Sequence, residues 1–103
     1  MRLAFTPLAE QDLEAIADYI AADNPVRALS FVRELRTQCQ RITRNPPGYR
    51  LRPELGDRIR SCAHGHHVIF FESNSDVVVI VRILHGARDI PAVFGADPES
   101  PLR

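Results

Sequence analysis

Apolar residues recur every three or four positions in the first half of the chain, a spacing typical of amphipathic helices. The first such stretch begins at Thr6-Pro7, where threonine suits the cap of a helix and proline its first turn. Its apolar stripe consists of Ala9, Leu13, Ile16, Ala17 and Ile20. The solvated face carries the acidic residues Glu10, Asp12, Glu14 and Asp18. We therefore predict an amphipathic helix after a short strand at residues 2–5.

A second helix is predicted from the same signals. Asn24 suits the cap and Pro25 the first turn, and Asn45-Pro46-Pro47-Gly48 ends the pattern. The apolar positions between these signals are Ala28, Phe31, Val32, Leu35, Cys39 and Ile42. Only a few residues separate the two helices, so we expect an antiparallel hairpin with a shared apolar side.

The second half of the chain contains three predicted strands, at residues 58–63, 67–72 and 77–84. The last two are rich in Val, Ile and Phe, and short polar or glycine-containing segments separate all three. The pattern indicates an α+β fold, in which the helical hairpin packs on a mainly antiparallel sheet with a three-strand C-terminal meander. We predict one domain at residues 1–94 and a flexible tail at 95–103.

The strand at residues 77–84 is apolar on both faces. Regular alternation places Val77, Val79, Val81 and Ile83 on one face, and Val78, Ile80 and Leu84 on the other. Two helices cover only one face of a small sheet. The other face must be closed by the C-terminal segment with Ile90, Val93 and Phe94, by self-association, or by another protein; we favour another protein.

Composition narrows the classes of function. The chain has 103 residues and no net charge, with 13 basic and 13 acidic residues, which argues against broad adhesion to nucleic acid or an anionic membrane. All the basic residues are arginines, and residues 33–60 form an arginine-rich flank. The two cysteines form no CxxC motif, and no apolar run is long enough to span a bilayer. We expect free buried thiols and a cytoplasmic location.

Several segments occur in an order that resembles the ParE branch of the ParE/RelE toxin superfamily, which includes plasmid stabilisation proteins of type II toxin-antitoxin systems. These segments are TPLAEQDLEAIADYIAADNP, ALSFVRELR, RPELGDRIRS, HHVIFF and RILHGARD. The resemblance covers residues 1 to about 94. It implies a hetero-oligomer with a ParD-like antitoxin, whose C-terminal segment wraps the toxin and whose N-terminal part binds DNA. It also implies DNA gyrase as the target.

The RelE branch of the same superfamily cleaves messenger RNA on the ribosome, using lysines, arginines and a C-terminal tyrosine. This chain has no lysine, and His67 and Phe94 stand where the resemblance places an arginine and the tyrosine. Only Arg88 matches a nuclease arginine. Histidines are able in principle to replace the missing groups. We therefore predict a toxin that is not an enzyme, with a ribosome-dependent endoribonuclease or a non-toxic, antitoxin-binding relative as the alternatives.

Two further motifs have structural interpretations. His64-Gly65-His66-His67 predicts a polar hairpin turn and not a zinc site, because adjacent strand residues point to opposite faces and no carboxylate or thiol lies at ligand spacing. Cys62 is interpreted as a packed thiol, since no third group visibly orients a base beside it. We expect no metal and no cofactor.

The candidate partner-binding residues lie in the second half of the chain. Arg82, in the middle of an apolar strand, must pair with an acid of this chain or face a partner's carboxylate. The predicted antitoxin-binding residues are Arg58, Arg60, Val78, Ile80 and Arg82. The predicted target-binding residues are His85, Arg88 and Asp89, although His85 also suits a structural hydrogen bond and Arg88 a local pair with Asp89. We expect no direct DNA binding by this chain.

Overall fold

A computed structural model describes residues 1–96, which form three helices and one five-stranded sheet. In chain order the elements are β1 (Arg2–Phe5), α1 (Pro7–Ala21), α2 (Pro25–Ile42), a 3-10 turn (Pro46–Gly48), β2 (Arg50–Leu51), β3 (Arg60–His64), β4 (His67–Ser73), β5 (Val77–His85) and α3 (Ile90–Ala96). The strand order is β1-β5-β4-β3-β2. Only the β1–β5 pair is parallel, so the predicted α+β class and C-terminal meander are confirmed.

Both long helices begin at the predicted caps. The Thr6 hydroxyl oxygen accepts a hydrogen bond from the Ala9 amide at 3.1 Å, and the Asn24 side-chain oxygen accepts one from the Arg27 amide at 3.1 Å. Each such cap contributes about 1 kcal/mol. Thr6 has a second role, because its hydroxyl donates to the carbonyl of Val81 at 2.7 Å and thereby ties the start of α1 to β5.

A β-bulge in β5 reverses the faces of part of this strand. Phe71 pairs with Ile80 and Phe70 pairs with Arg82, which leaves Val81 as an extra residue. Ile83 therefore joins Ile80 on the helical side, while Val81 packs on the opposite side. The predicted regular alternation holds as far as Val81 and is wrong for Ile83 and Leu84, because the inserted residue shifts the period of two by one position.

The main core lies between the helical hairpin and the sheet. Its buried members include Leu13 of α1, Leu35 of α2, and Phe71 and Ile80 of the sheet. Cys39 and Cys62 are both free and buried in this layer, as predicted. None of the helices that the structure describes has the length and apolar character needed to cross a membrane.

A second core covers the opposite face of the sheet and corrects the expectation that another protein closes it. Its buried residues are Leu55, Ile59, Phe70, Leu84, Ile90 and Phe94. The connection between β2 and β3 supplies the first two, and α3 supplies the last two. The chain therefore closes this face itself. The C-terminal segment does so in part, as one of the predicted alternatives had it, and the connection between β2 and β3, which was not predicted to take part, does the rest.

The predicted tail starts inside α3, whose last residue is Ala96. The rest of that tail, residues 97–103, lies outside the described residues. Neither β2 nor α3 was predicted as an element. The predicted strand at 58–63 begins two residues later, at Arg60.

Candidate partner-binding surface

A largely buried ion pair joins α1 to β5. The guanidinium of Arg82 donates to both carboxylate oxygens of Asp12, from Nε at 2.8 Å and from Nη2 at 2.9 Å. Asp12 Oδ2 also accepts a hydrogen bond from the Ile83 amide at 2.9 Å. The side chains of Arg82 and Asp12 are only 14% and 11% exposed. Of the two predicted alternatives, an acid of this chain or a partner's carboxylate, the structure therefore shows the first.

Asp12 was missed as a site residue because its acidic neighbours placed it on the solvated face. A signal existed in the sequence. Asp12 lies three positions after Ala9 and four before Ile16, so it shares the apolar stripe of α1. A carboxylate within such a stripe indicates a buried cationic partner.

The structure separates the other predicted antitoxin-binding residues. The side chains of Val78 and Ile80 are fully buried beneath the helices and offer no surface to another protein. Arg60 is half-buried and donates from Nη1 to the carbonyl of Tyr49 at 2.7 Å. Arg58 is exposed beside a small depression at the start of β5. The five residues thus do not form one continuous strip.

The predicted target-binding residues are all exposed: His85 is the last residue of β5, and Arg88 and Asp89 lie in the turn between β5 and α3. His85 Nδ1 accepts a hydrogen bond from the Ala87 amide at 3.1 Å, which gives this ring a structural role. The Asp89 carboxylate accepts one from the Ala92 amide at 3.4 Å, in the first turn of α3. Within residues 1–96 no carboxylate lies at ion-pair distance from Arg88, so the local pair with Asp89 does not form.

Histidine and phenylalanine rings cluster beside this turn. The His67 ring lies 5.2 Å from that of His85 and 5.3 Å from that of Phe31. His67 Nδ1 is buried and has no hydrogen-bond partner in the described part of the chain. An unsatisfied buried polar atom costs about 1–3 kcal/mol. Burial lowers the pKa of His67 below 6.5, and repulsion by His85 and its other histidine neighbours lowers it further, so the ring is neutral at physiological pH.

The pKa of His67 predicts how stability depends on pH. His67 of the unfolded chain gains a proton near its ordinary pKa of 6.5, whereas the folded chain resists protonation. Its contribution is therefore present above about pH 6.5 and is lost as pH falls through the lowered pKa. We expect His67→Gln to flatten the decline in the free energy of urea unfolding between about pH 7 and pH 5.

His66→Gln supplies the matched control, because it removes an exposed ring and relieves only a minor part of the repulsion that lowers the pKa of His67, so it should flatten the decline much less. An equal slope for wild type and His67→Gln contradicts the assignment. Glu34 and Glu54 also have a lowered pKa, but their ordinary value is 4.5, so their effect on stability falls below the range of pH 5 to 7. The lowered pKa of Glu34 comes first from its hydrogen bond with Arg27.

The His64–His67 turn does not assemble a metal site. His64 Nε2 lies 3.3 Å from the Glu34 carboxylate, while His67 faces His85. No group of three or more metal-binding side chains comes together within residues 1–96. The turn itself forms as predicted, with Gly65 at a φ of 58°, a conformation that favours glycine.

Cys62 and Phe94, two of the groups considered for covalent or nuclease chemistry, are packed in cores. Burial raises the pKa of Cys62, and it raises that of Cys39 to about 12, so neither forms a thiolate at neutral pH. Gln38 also donates to the Cys62 sulfur at 3.2 Å. Phe94 packs edge-on against Phe70 at 5.2 Å between ring centres. The arrangement therefore favours contacts with a partner over a reaction.

An apolar groove runs between α1 and the end of β5, and we refer to it as the α1–β5 groove. It has a volume of about 250 Å³. The residues that line it are Asp12, Ala15, Ile16, Tyr19, Ile20, His67, Ile83, Leu84, His85 and Arg88. Tyr19, at its rim, is 84% exposed. The groove brings two predicted target-binding residues next to an α1 surface that sequence analysis did not single out.

A second groove lies on the outer side of the hairpin, between α1 and α2, and we refer to it as the hairpin groove. It has a volume of about 470 Å³. Its lining is Ala17, Asp18, Ala21, Pro25, Ala28, Leu29, Val32, Arg33 and Arg36. Leu29 is 64% exposed and Val26, nearby on α2, is 77% exposed. Large apolar side chains this accessible often mark an interface.

Comparison with known proteins places this geometry in a family. Residues 3–90 match the family model described as the ParE toxin of type II toxin-antitoxin system, parDE. A solved structure of the chromosomal ParDE TA system from P. aeruginosa superposes with a TM-score of 0.69 at 25% sequence identity. The aligned region covers 82% of this chain and 95% of that chain. A search of curated proteins gave no match.

Proposed function

The chain belongs to the ParE toxin family of type II toxin-antitoxin systems, and from this premise we propose that it arrests growth by binding DNA gyrase and is neutralised by a ParD-like antitoxin. The observation that carries the proposal is the family match over residues 3–90. The fold supports it, because a structure from a ParDE system shares most of this architecture. The proposed complex is a hetero-oligomer in the cytoplasm.

Binding without catalysis is the mechanism that the side chains support. RNA cleavage without a metal needs a base, an acid and cations that stabilise the developing charge on the phosphate. Arg82 is engaged by Asp12, and Phe94 is a core residue without a transferable proton. The chain has no lysine. Arg88 and His85 are exposed and line an apolar groove. Side chains of this kind beside an apolar surface are suited to contacts with another protein.

The antitoxin is proposed to occupy the hairpin groove. The closed second core removes the sheet face as a docking strip, whereas Leu29 and Val26 remain exposed. Arg33 and Arg36 flank the groove and suit the acidic residues of an antitoxin segment. Arg58 and Arg60 remain proposed contacts for a more distant part of the same segment. Since α1 lines both grooves, a segment crossing α1 would also block the α1–β5 groove.

The test is expression of the chain alone and together with the neighbouring reading frame, followed by a supercoiling assay with purified gyrase. We expect growth arrest that the neighbour relieves, and inhibited supercoiling by the free toxin. Programmed ribosomes incubated with the same protein should keep their transcript intact. Unchanged supercoiling with a cleaved transcript would replace the proposal by endoribonuclease activity. Absence of growth arrest, with supercoiling and transcript both unchanged, would indicate a non-toxic relative.

A further inference from the structure

The α1–β5 groove has the size of a single large side chain. Its volume of about 250 Å³ is below the range of about 300–1,000 Å³ that is usual for small-molecule sites. Its apolar wall includes Ile16, Ile20 and Ile83. Aromatic side chains are the usual anchors of protein interfaces, because they bury a large area with little loss of conformational freedom. These dimensions favour one inserted aromatic residue over a cofactor.

One residue of the groove wall also carries an unsatisfied polar atom. His67 lines the groove, and its buried Nδ1 has no hydrogen-bond partner within residues 1–96. Tyrosine and tryptophan carry an O–H or N–H at the end of an otherwise apolar ring. Because Nδ1 is buried, the His67 ring would have to rotate to meet the O–H or N–H of either residue, whereas phenylalanine offers no such group. The groove therefore favours tyrosine or tryptophan.

The charge at the rim is positive. Asp12 also lines the groove, but its carboxylate is held by Arg82 and by the Ile83 amide. The exposed Arg88 has no carboxylate at ion-pair distance among the described residues. Arginine pairs well with carboxylates, frequently through two parallel hydrogen bonds. A carboxylate next to the inserted ring would complement this charge.

We propose that the α1–β5 groove binds a tyrosine or tryptophan of the toxin's protein target, with an adjacent aspartate or glutamate that pairs with Arg88. The inference rests on the proposed function in taking the occupant to be the target rather than the antitoxin. It adds the chemistry of the recognised segment and extends the site to Tyr19 on α1.

Titration with capped dipeptides tests the recognition directly. The probe is N-acetyl-Glu-Trp-amide, added to the isotope-labelled toxin and followed by NMR. We expect shifts confined to the groove, at Tyr19, His67 and Ile83. Affinity should fall about two- to fivefold for N-acetyl-Lys-Trp-amide, as expected for loss of one exposed ion pair. N-acetyl-Glu-Ala-amide should not bind. Shifts elsewhere, or equal binding of all three peptides, would overturn the proposal.

Two surface variants extend the test to the target. Tyr19→Ala and Arg88→Glu change exposed side chains, so the fold should persist. Both should lose growth arrest and gyrase inhibition yet still copurify with the antitoxin. Leu29→Glu in the hairpin groove is the matched control, expected to weaken antitoxin binding while leaving growth arrest intact. If Tyr19→Ala and Arg88→Glu arrest growth as strongly as the wild-type protein, the groove is not the target site. If the wild-type protein binds the dipeptide but does not inhibit gyrase, gyrase is not the target, and the proposed recognition by the groove still stands.

Discussion

Replacing Asp12 with alanine is expected to lower the free energy of unfolding by about 3–5 kcal/mol, because it removes the carboxylate that binds the largely buried guanidinium of Arg82. Arg82, only 14% exposed, would lose both hydrogen bonds to the carboxylate. The Ile83 amide would lose its acceptor as well. In a domain of this size the fall in Tm should be at least about 12 °C. Thermal unfolding followed by circular dichroism measures it.

An exposed ion pair provides the matched control. Glu10 and Arg36 approach to 3.5 Å with both side chains 48% exposed, so Glu10→Ala should cost no more than about 1 kcal/mol. Combining Asp12→Leu with Arg82→Met removes both buried charges and should recover most of the lost stability. If Asp12→Ala lowers the free energy of unfolding no more than Glu10→Ala does, the Asp12–Arg82 pair does not stabilise the fold as expected.

Phe94→Ala is expected to cost about 3–5 kcal/mol, the range for deleting a buried aromatic side chain. Phe94 packs edge-on against Phe70 and, with Ile90, closes the second core. The variant should therefore also expose apolar surface and bind a hydrophobic dye. Urea unfolding at neutral pH gives the free energy, and the dye reports the opened face.

Tyr19→Ala is the control for this deletion, because the same kind of ring is removed from a position that is 84% exposed. It should change stability by no more than about 0.5 kcal/mol. Equal stability of Phe94→Ala and wild type, with no gain in dye binding, would show that α3 does not close this face. The sheet would then again be open to an outside protein.

Local signals in the sequence were sufficient for the helices and for most of the sheet. Thr6-Pro7 and Asn24-Pro25 determine where the helices begin, since each cap satisfies a backbone amide within three residues of itself. Alternation and turns located the meander. The bulge at Val81 was not predictable in this way, because it depends on the register between β5 and β4. Short α3 lacks a long periodic pattern, although Asp89 and Pro91 at its start provide a weak signal.

The candidate site was predictable where its residues are neighbours in sequence. His85 ends β5, and Arg88 and Asp89 follow in the next turn, so their proximity followed from the chain itself. Asp12 and Arg82 are 70 residues apart, and only the packing of α1 against β5 joins them. Tyr19 was likewise not recognised, because an exposed helical tyrosine becomes part of a groove only when β5 lies beside it.

The position of β5 between β1 and β4 has a consequence for synthesis of the protein. β1 is made first but pairs in parallel with β5, which is completed only at His85. Until that strand leaves the ribosome, the nascent chain has neither a partner for β1 nor the far wall of the α1–β5 groove. Such long-range parallel pairing is slow to form. The helical hairpin can therefore form before β5 is synthesised, whereas the α1–β5 groove cannot form until β5 has left the ribosome.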